Sequence, residues 1–364
     1  MSENQTTQGR NPLLNLTLAV ILVIAIGWLL HVGQGFILPV LAAFIFVIIF
    51  NELDRALTHI PYVGKLPSLL RKTIIYLGFL GALTALISLF TVTIQELILR
   101  SNVYQQNLIE LLNQLTDMVG EEYLPDWTQL RNKIIASINL QAWLGWVATQ
   151  LSSASGTVFL VIIYIAFLLG ERDTFATKFA AAFPDPKKAA RVQQIIDAVN
   201  TKVGQYLGAK TLVNVILGIV SYVIMLGFGL DYAAFWALLI GLLNYIPYIG
   251  SAFGVLFPVV LSIVQFVSWP WTIALAITLM LAQMIMGNFV EPRLVGRKVN
   301  QSAFVVLVAL SFWTALWGVS GAILAVPMTS ILGIILAEFP ATRPLSVFMA
   351  EEVTDSIRRR SAAK

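Results

Sequence analysis

Residues 244–250 read Asn244-Tyr245-Ile246-Pro247-Tyr248-Ile249-Gly250, and they interrupt an otherwise apolar stretch that runs from Asp231 to Val267. One apolar run, Phe235 to Leu243, leads into this heptapeptide, and a second, Phe253 to Val267, leads out of it. Pro247 has no backbone N–H and pushes Ile246 away from helical geometry. Gly250 and Gly254 allow backbones to approach closely, while Asn244, Tyr245 and Tyr248 bring polar atoms to the break. In hydrocarbon, an interrupted helix is tolerated only where protein or trapped water satisfies the freed peptide groups. Two readings stay open: a site lined by polar side chains, or a tight turn between two helices at a bilayer surface.

Composition supplies the hydrocarbon. The 364 residues are 58% hydrophobic and 12% charged, with mean hydropathy +0.82, whereas soluble domains carry about 25% charged residues. The apolar runs approach the roughly 20 residues of a membrane-crossing helix and lack the alternation of an outer-membrane barrel. An all-α, polytopic membrane protein with about eight membrane helices follows, with two broken or re-entrant hairpins in the second half and a polar helical arm. The net charge of +4 does not point to nucleic acid, because the basic residues sit in loops beside apolar runs, as the positive-inside pattern requires. The chain has no cysteine, which excludes disulfides and thiolate sites.

In chain order, Leu13 to Leu30 reads as an uncleaved first span, His31 to Gly35 as a turn, and Phe36 to Phe50 as a second span with Pro39 in its first turn. Arg55, Lys65, Arg71 and Lys72 mark the next loop as cytoplasmic, and Thr73 to Val92 is the third span. Gln95 to Gln150 holds six acidic and three basic residues. Leu97, Tyr104, Leu108, Leu111, Leu115 and Met118 form a helical seam there. Trp127 to Gln150, with Leu130, Ile134, Ile138 and Trp143, forms a second amphipathic helix. This arm continues from the third span, and its seam is expected to pack on its own second helix or on a neighbouring subunit. Leu151 to Gly170 crosses back. Residues 171–210 carry Arg172, Lys178, Lys187, Lys188, Arg191, Lys202 and Lys210, the strongest cytoplasmic mark. Asp185-Pro186 caps an amphipathic helix there, which lies in the interface or couples to a neighbour.

Thr211 to Gly229 then spans, the interrupted element follows, and Trp271 to Val290 spans again. Last come two pieces, Ser302 to Glu338, joined at Trp317-Gly318-Val319-Ser320-Gly321. Span plus broken hairpin therefore occurs twice, entered from opposite sides. That is the outline of an inverted repeat, which places a solute where the broken segments meet near the midplane. The organisation expected is a scaffold of helices (1–94), an extracytoplasmic arm (95–150), a fourth span with a cytoplasmic helix (151–210), a transport core (211–340) and a cytoplasmic tail (341–364).

Few residues could carry chemistry. His31 and His59 fall at opposite membrane edges and cannot share a metal, no Walker loop occurs, and no nucleophile–base pair is evident, so neither an enzyme nor a metal or cofactor is expected. Gln283, Asn288 and Glu291 occupy one span, where polar groups are costly. The bland alternative pairs Glu291 with Arg293 or Arg297 at the cytoplasmic surface. Glu171 and Asp231 sit at span ends, and Asn214, Ser311 and Thr314 are weaker candidates. Trp269, Trp271, Trp313 and Trp317 read as an interfacial aromatic belt before they read as stacking groups.

The stretch Leu243 to Ser251 and the stretch Gly287-Asn288-Phe289-Val290-Glu291-Pro292-Arg293-Leu294-Val295-Gly296-Arg297 together resemble the bacterial autoinducer-2 exporter family, as does the order of elements from about residue 13 to 340. The resemblance implies a moving transport part against a fixed scaffold, a homo-oligomer (a pentamer), and roles for Asn244, Pro247 and Gly250 and for Asn288, Glu291, Pro292 and Gly296. The substrate-binding set expected is Asn244, Tyr245, Pro247, Gly250, Gln283, Asn288 and Glu291. The expected function is export of a small polar metabolite across the bacterial inner membrane, with both termini cytoplasmic. The alternatives are a sodium–proton antiporter that titrates Glu291 or Asp231, and a scaffold with no solute path.

Overall fold

The structure is a computed structural model that describes residues 12–119, 140–182, 185–296 and 299–352. Among them are helices and turns, with no strand, and eight helices are long and apolar enough to cross a membrane. Helix α1 spans Pro12–Val32 and α2 spans Gln34–Thr58. Only Gly33 separates them, its N–H bonded to the Leu29 carbonyl at 2.8 Å. Helix α2 starts earlier than expected, so Pro39 lies in its second turn rather than its first and deprives the Gly35 carbonyl of its helical donor.

Helix α3, Ser68–Val119, runs unbroken through span and arm. At 1.5 Å per residue its 52 residues make a rod of about 78 Å. Helix α4 is Leu140–Ala182 and α5 is Pro186–Phe228, 43 residues each. The Asp185 carboxylate accepts the Lys187 N–H at 2.9 Å and Pro186 opens α5, while Gly229 closes it with φ 72°. The amphipathic segment at 186–210 is therefore collinear with the fifth span, because no proline or unpaired polar run interrupts it. It couples to neighbours: Val203, Tyr206 and Leu207 pack with Ile45 and Ile48 of α2 and with Leu324 and Val326.

Helix α6 is Ala233–Leu243 and α7 is Ile249–Phe266. Eleven residues rise about 16 Å, half of a 30 Å hydrocarbon core, so α6 cannot cross alone. The two fold back on each other: a methyl on Gly254 would stand 3.5 Å from Ile240 Cα. Helix α8, Trp269–Ile285, continues through a π-helical turn, Met286–Val290, into the short α9, Glu291–Leu294. Helix α10, Ala303–Glu338, breaks at Trp317 and Gly318, the latter at φ 61°, ψ −140°. Trp313 Nε1 donates to Thr329 Oγ1 at 3.0 Å, although a straight helix would separate residues sixteen apart by about 24 Å. The limbs of α10 are thus a second hairpin, and α11, Arg343–Met349, ends the described chain.

Both hairpins turn on the same device. A Cβ on Gly250 would lie 1.9 Å from the Leu243 carbonyl oxygen, and a Cβ on Gly321 would lie 1.9 Å from that of Trp313. Hence the second limb of each starts against the last turn of the first.

Helix α2 joins the halves. One side packs Ala43 and Phe50 against Ile75 of α3 and Val161 and Ile165 of α4, and the other carries the α5 and α10 contacts above. The first part of the arm's seam packs on the membrane helices of its own chain. Leu97 and Tyr104 share a core with α5, α6 and α7. Asp231 accepts from Tyr104 Oη at 3.1 Å and Arg100 at 3.3 Å, and Asn107 donates to the Val264 carbonyl at 2.7 Å. The side chains of Leu115 and Met118, and residues 120–139 of the expected second arm helix, lie outside the described residues.

Trp313 and Trp317 are not belt residues. They are buried, and Trp317 Nε1 donates to the Leu30 carbonyl at 3.0 Å. His31 Nδ1 meets the Leu316 carbonyl at 3.0 Å. The end of α1 is thereby pinned to the second hairpin's apex, and Trp271, 56% exposed, keeps the surface position expected of a belt.

Candidate functional site

At the first break the backbone largely satisfies itself. The N–H groups of Asn244, Tyr245, Ile246 and Gly250 bond to the carbonyls of Ile240, Leu242, Leu243 and Ile246 at 2.9–3.3 Å. Ile249 N–H closes on Pro247 at 2.6 Å around Tyr248, whose φ of 63° and ψ of −48° mark the rare positive-φ γ-turn. In backbone terms this is a tight turn, and the polar capacity nearby comes from side chains.

Those side chains converge on α5. Asn244 Nδ2 donates to Asn214 Oδ1 at 2.8 Å, and both residues are buried. Tyr245 Oη lies 2.7 Å from Thr211 Oγ1. Thr211 has one hydroxyl proton and gives it to the Leu207 carbonyl at 2.7 Å, so Tyr245 is the donor to Thr211. Asn214 Nδ2 is buried and faces the Tyr245 hydroxyl, short of a well-formed hydrogen bond. These groups end a cleft of about 500 Å³ between α5 and α6. Val215, Ile219, Ala237, Leu238 and Leu242 supply its apolar walls, and Tyr222 stands at the far end. Small residues shape the cleft: a Cβ on Gly241 would lie 3.1 Å from the Asn214 carbonyl oxygen.

The candidates thus separate. Tyr245 lines the cleft and Asn244 braces Asn214 from behind. Pro247 and Gly250 shape the turn without lining the cleft. Gln283 points elsewhere: its Nε2 is buried without a partner, 3.6 Å from where a Gly254 Cβ would be, in the seam of the first hairpin. Asn288 is exposed on the π turn. The two hairpins touch through Ile246, which packs into the cluster of Ala309, Leu310, Trp313, Trp317, Ala322 and Ala325. Their meeting point is apolar, and the cleft, itself apolar except at its Thr211–Tyr245 end, lies beside the first hairpin rather than between the two. Ser311 bonds the Leu307 carbonyl within its own helix, and Thr314 Oγ1 is buried without a partner.

Glu291 pairs neither with Arg293, which is exposed, nor within the described residues with Arg297, which lies outside them. Its Oε1 accepts from Lys210 Nζ at 2.5 Å, with the lysine side chain 5% exposed and the carboxylate 30%. Lys210 had counted as one of a run of loop charges; it sits inside a continuous helix. Tyr206, Lys210 and Asn214 recur every four residues, so they share one face of α5. That spacing was the available signal. Tyr206 in turn lies within electrostatic range of Glu291 and Tyr245. Three hydrogen-bonded pairs, Lys210–Glu291, Thr211–Tyr245 and Asn214–Asn244, therefore lie along α5 within an apolar core. Among the described residues no group of three histidines, cysteines or carboxylates could hold a metal.

Known proteins resemble this chain in sequence along nearly its full length. The chain is 27% identical over 340 residues to a Haemophilus influenzae protein provisionally named a transport protein, covering 92% of this chain and 95% of that one. It is 27% identical over 319 residues to the AI-2 transport protein TqsA of Escherichia coli, covering 86% and 89%. A Borreliella burgdorferi protein with the same provisional name is 34% identical over 198 residues, 54% of each chain. The signature described as AI-2E family transporter matches residues 17–341, so both hairpins and the cleft lie within it, and the chain belongs to the AI-2E family of transporters.

Proposed function

We propose that this transporter exports a small, uncharged, hydroxylated metabolite of the autoinducer-2 type, and that the solute binds in the cleft between α5 and α6. The observation that carries the reading is the cleft's polar end, where the Asn214 amide stands beside the Tyr245 and Thr211 hydroxyls. A hydroxylated solute needs donors and acceptors together, and each unmatched polar group costs about 1–3 kcal/mol when buried. The name of the Escherichia coli relative, an AI-2 transport protein, supports the solute class. With no Walker loop in the sequence, we read transport as secondary. Basic residues at 171–210 support a cytoplasmic position for the Lys210 end of the cleft. That orientation puts both termini inside a bacterial inner membrane. We further propose that the chain works as a homo-oligomer, in keeping with the first helix, none of whose described side chains is buried within its own chain.

Counterflow of autoinducer-2 in liposomes tests the reading. Asn214→Leu and Tyr245→Phe are each expected to slow counterflow about 5- to 10-fold, the equivalent of one hydrogen bond of roughly 1–1.5 kcal/mol. Unchanged rates in both variants would remove the cleft as the binding place. Absence of counterflow by the unmodified protein would remove the solute.

A further inference from the structure

The Lys210–Glu291 pair lies just beyond the cleft, and the sequence gives no reason for a charge there. Lys210 directly precedes Thr211, at the cleft's polar end, and its side chain is 5% exposed. A buried ion pair adds little net stability, since desolvation offsets most of the attraction. An apolar pair would hold the two helices as well. What the pair does do is join the two span-and-hairpin units: Lys210 belongs to α5, which opens the first, and Glu291 follows α8, which opens the second.

Glu291 also follows directly on the π-helical turn Met286–Val290. A π turn holds one residue more than the α-helix it interrupts and is common at functional sites. Relaxing it to α geometry turns everything beyond it by about 100° relative to α8. That rotation carries the Glu291 carboxylate away from Lys210. Exposed Gly287 and Asn288 within the turn leave room for such a change.

We propose that the Lys210–Glu291 pair is a gate that closes the Thr211 end of the cleft, opened by a π-to-α change in residues 286–290. Closed, the paired charges and Tyr206 seal α5 against the end of α8. Parted, two opposite charges draw water into the seam beside Tyr245, and the cleft connects to the side that bears the amino-terminal half of α5. The inference rests on the cleft being the solute's binding place, but its test needs no solute.

Because the chain lacks cysteine, Leu238→Cys places a single thiol in the cleft wall. Its labelling by a membrane-impermeant maleimide, applied to each membrane face in turn, reads access to the cleft. Charge reversal on one side only (Lys210→Glu, or Glu291→Lys) is expected to speed labelling from the α5 amino-terminal side about tenfold or more. The reversed pair, Lys210→Glu with Glu291→Lys, is expected to return it to the slow rate, which a loss of mere packing would not do. Should the single reversals fail to fold, Lys210→Ser with Glu291→Ser leaves no unpaired charge and opens the same gap, with the same acceleration expected. Equal labelling in all variants would overturn the gate and leave the cleft reading intact. No labelling from either face in any variant would overturn both.

Discussion

Replacing Gly250 by alanine puts a methyl group 1.9 Å from the Leu243 carbonyl oxygen, 2.5 Å from its carbon and 2.9 Å from Asn244 Cα. All three are backbone atoms, so no side-chain rotation relieves the contact. To restore an ordinary contact the limbs of the first hairpin must part by roughly 1.5 Å, where close packing leaves no slack. Overpacking of this kind costs about 1–3 kcal/mol, and an unyielding backbone places Gly250→Ala at the upper end, near 3 kcal/mol. Against that stands only the ~1 kcal/mol by which alanine is favoured over glycine inside a helix. The net expectation is a loss of about 2 kcal/mol, together with displacement of Asn244 and Tyr245 from α5. Gly254→Ala is the internal control, because its methyl would meet Ile240 and Gln283 at 3.5–3.6 Å, an ordinary contact. Thermal unfolding of the detergent-solubilised protein, with autoinducer-2 counterflow in parallel, compares the two. Gly250→Ala should melt lower and transport less, while Gly254→Ala should match or exceed the unmodified protein in stability. Equal behaviour of the two variants would refute the argument that the apex is held by backbone contact.

Other outcomes follow from the same geometry. Lys210→Met alone should cost about 3–5 kcal/mol by leaving the Glu291 charge unpaired, whereas Lys210→Met with Glu291→Leu should be near neutral; denaturation of the three proteins separates the cases. Tyr104→Phe removes a hydrogen bond to the Asp231 carboxylate and should cost about 1.5–3 kcal/mol. Arg100→Ala, at a 59% exposed ion pair, should leave stability essentially unchanged because solvent screens the pair, and hydrogen exchange at Gly229–Tyr232 should rise only in the first. Tyr248→Gly relieves a positive-φ residue and should raise the melting temperature, by the equivalent of about 1 kcal/mol or more.

The breaks were legible because proline and glycine act locally. Pro247 and Gly250 fixed where the first hairpin turns, and Gly318 and Gly321 where the second does. The azimuth of each helix was not legible, since lengths and loop charges say how far a helix reaches but not which way its faces point. Hence a polar hollow was expected between the hairpins, where Ile246 in fact seals them, and the cleft that does form lies against α5 with mostly apolar walls. Lys210 was hidden for a related reason. Counting it among loop charges presumed a break before Thr211, although Gly204 and Gly208 are tolerated within α5 and allow Glu52 of α2 to approach. Nearness in sequence likewise suggested Arg293 for Glu291, while the pair formed spans 81 positions. Trp313 and Trp317 look interfacial by type, and only the folding back of α10 and the approach of α1 supply their indole partners, Thr329 and the Leu30 carbonyl.

Helix α3 is longer than any bilayer requires: of its roughly 78 Å, a 30 Å hydrocarbon core accounts for less than half. It is bonded near Arg100, Tyr104 and Asn107 to both ends of the first hairpin unit, at Asp231 and Val264. A stiff lever fastened there cannot tilt without dragging that unit. From Ser68 to Tyr104 is about 54 Å of helix, so a swing of 5° about the fastening moves the Ser68 end by about 5 Å. Whatever grips that distant end can therefore pull on the first hairpin and the cleft beside it from the opposite face of the membrane.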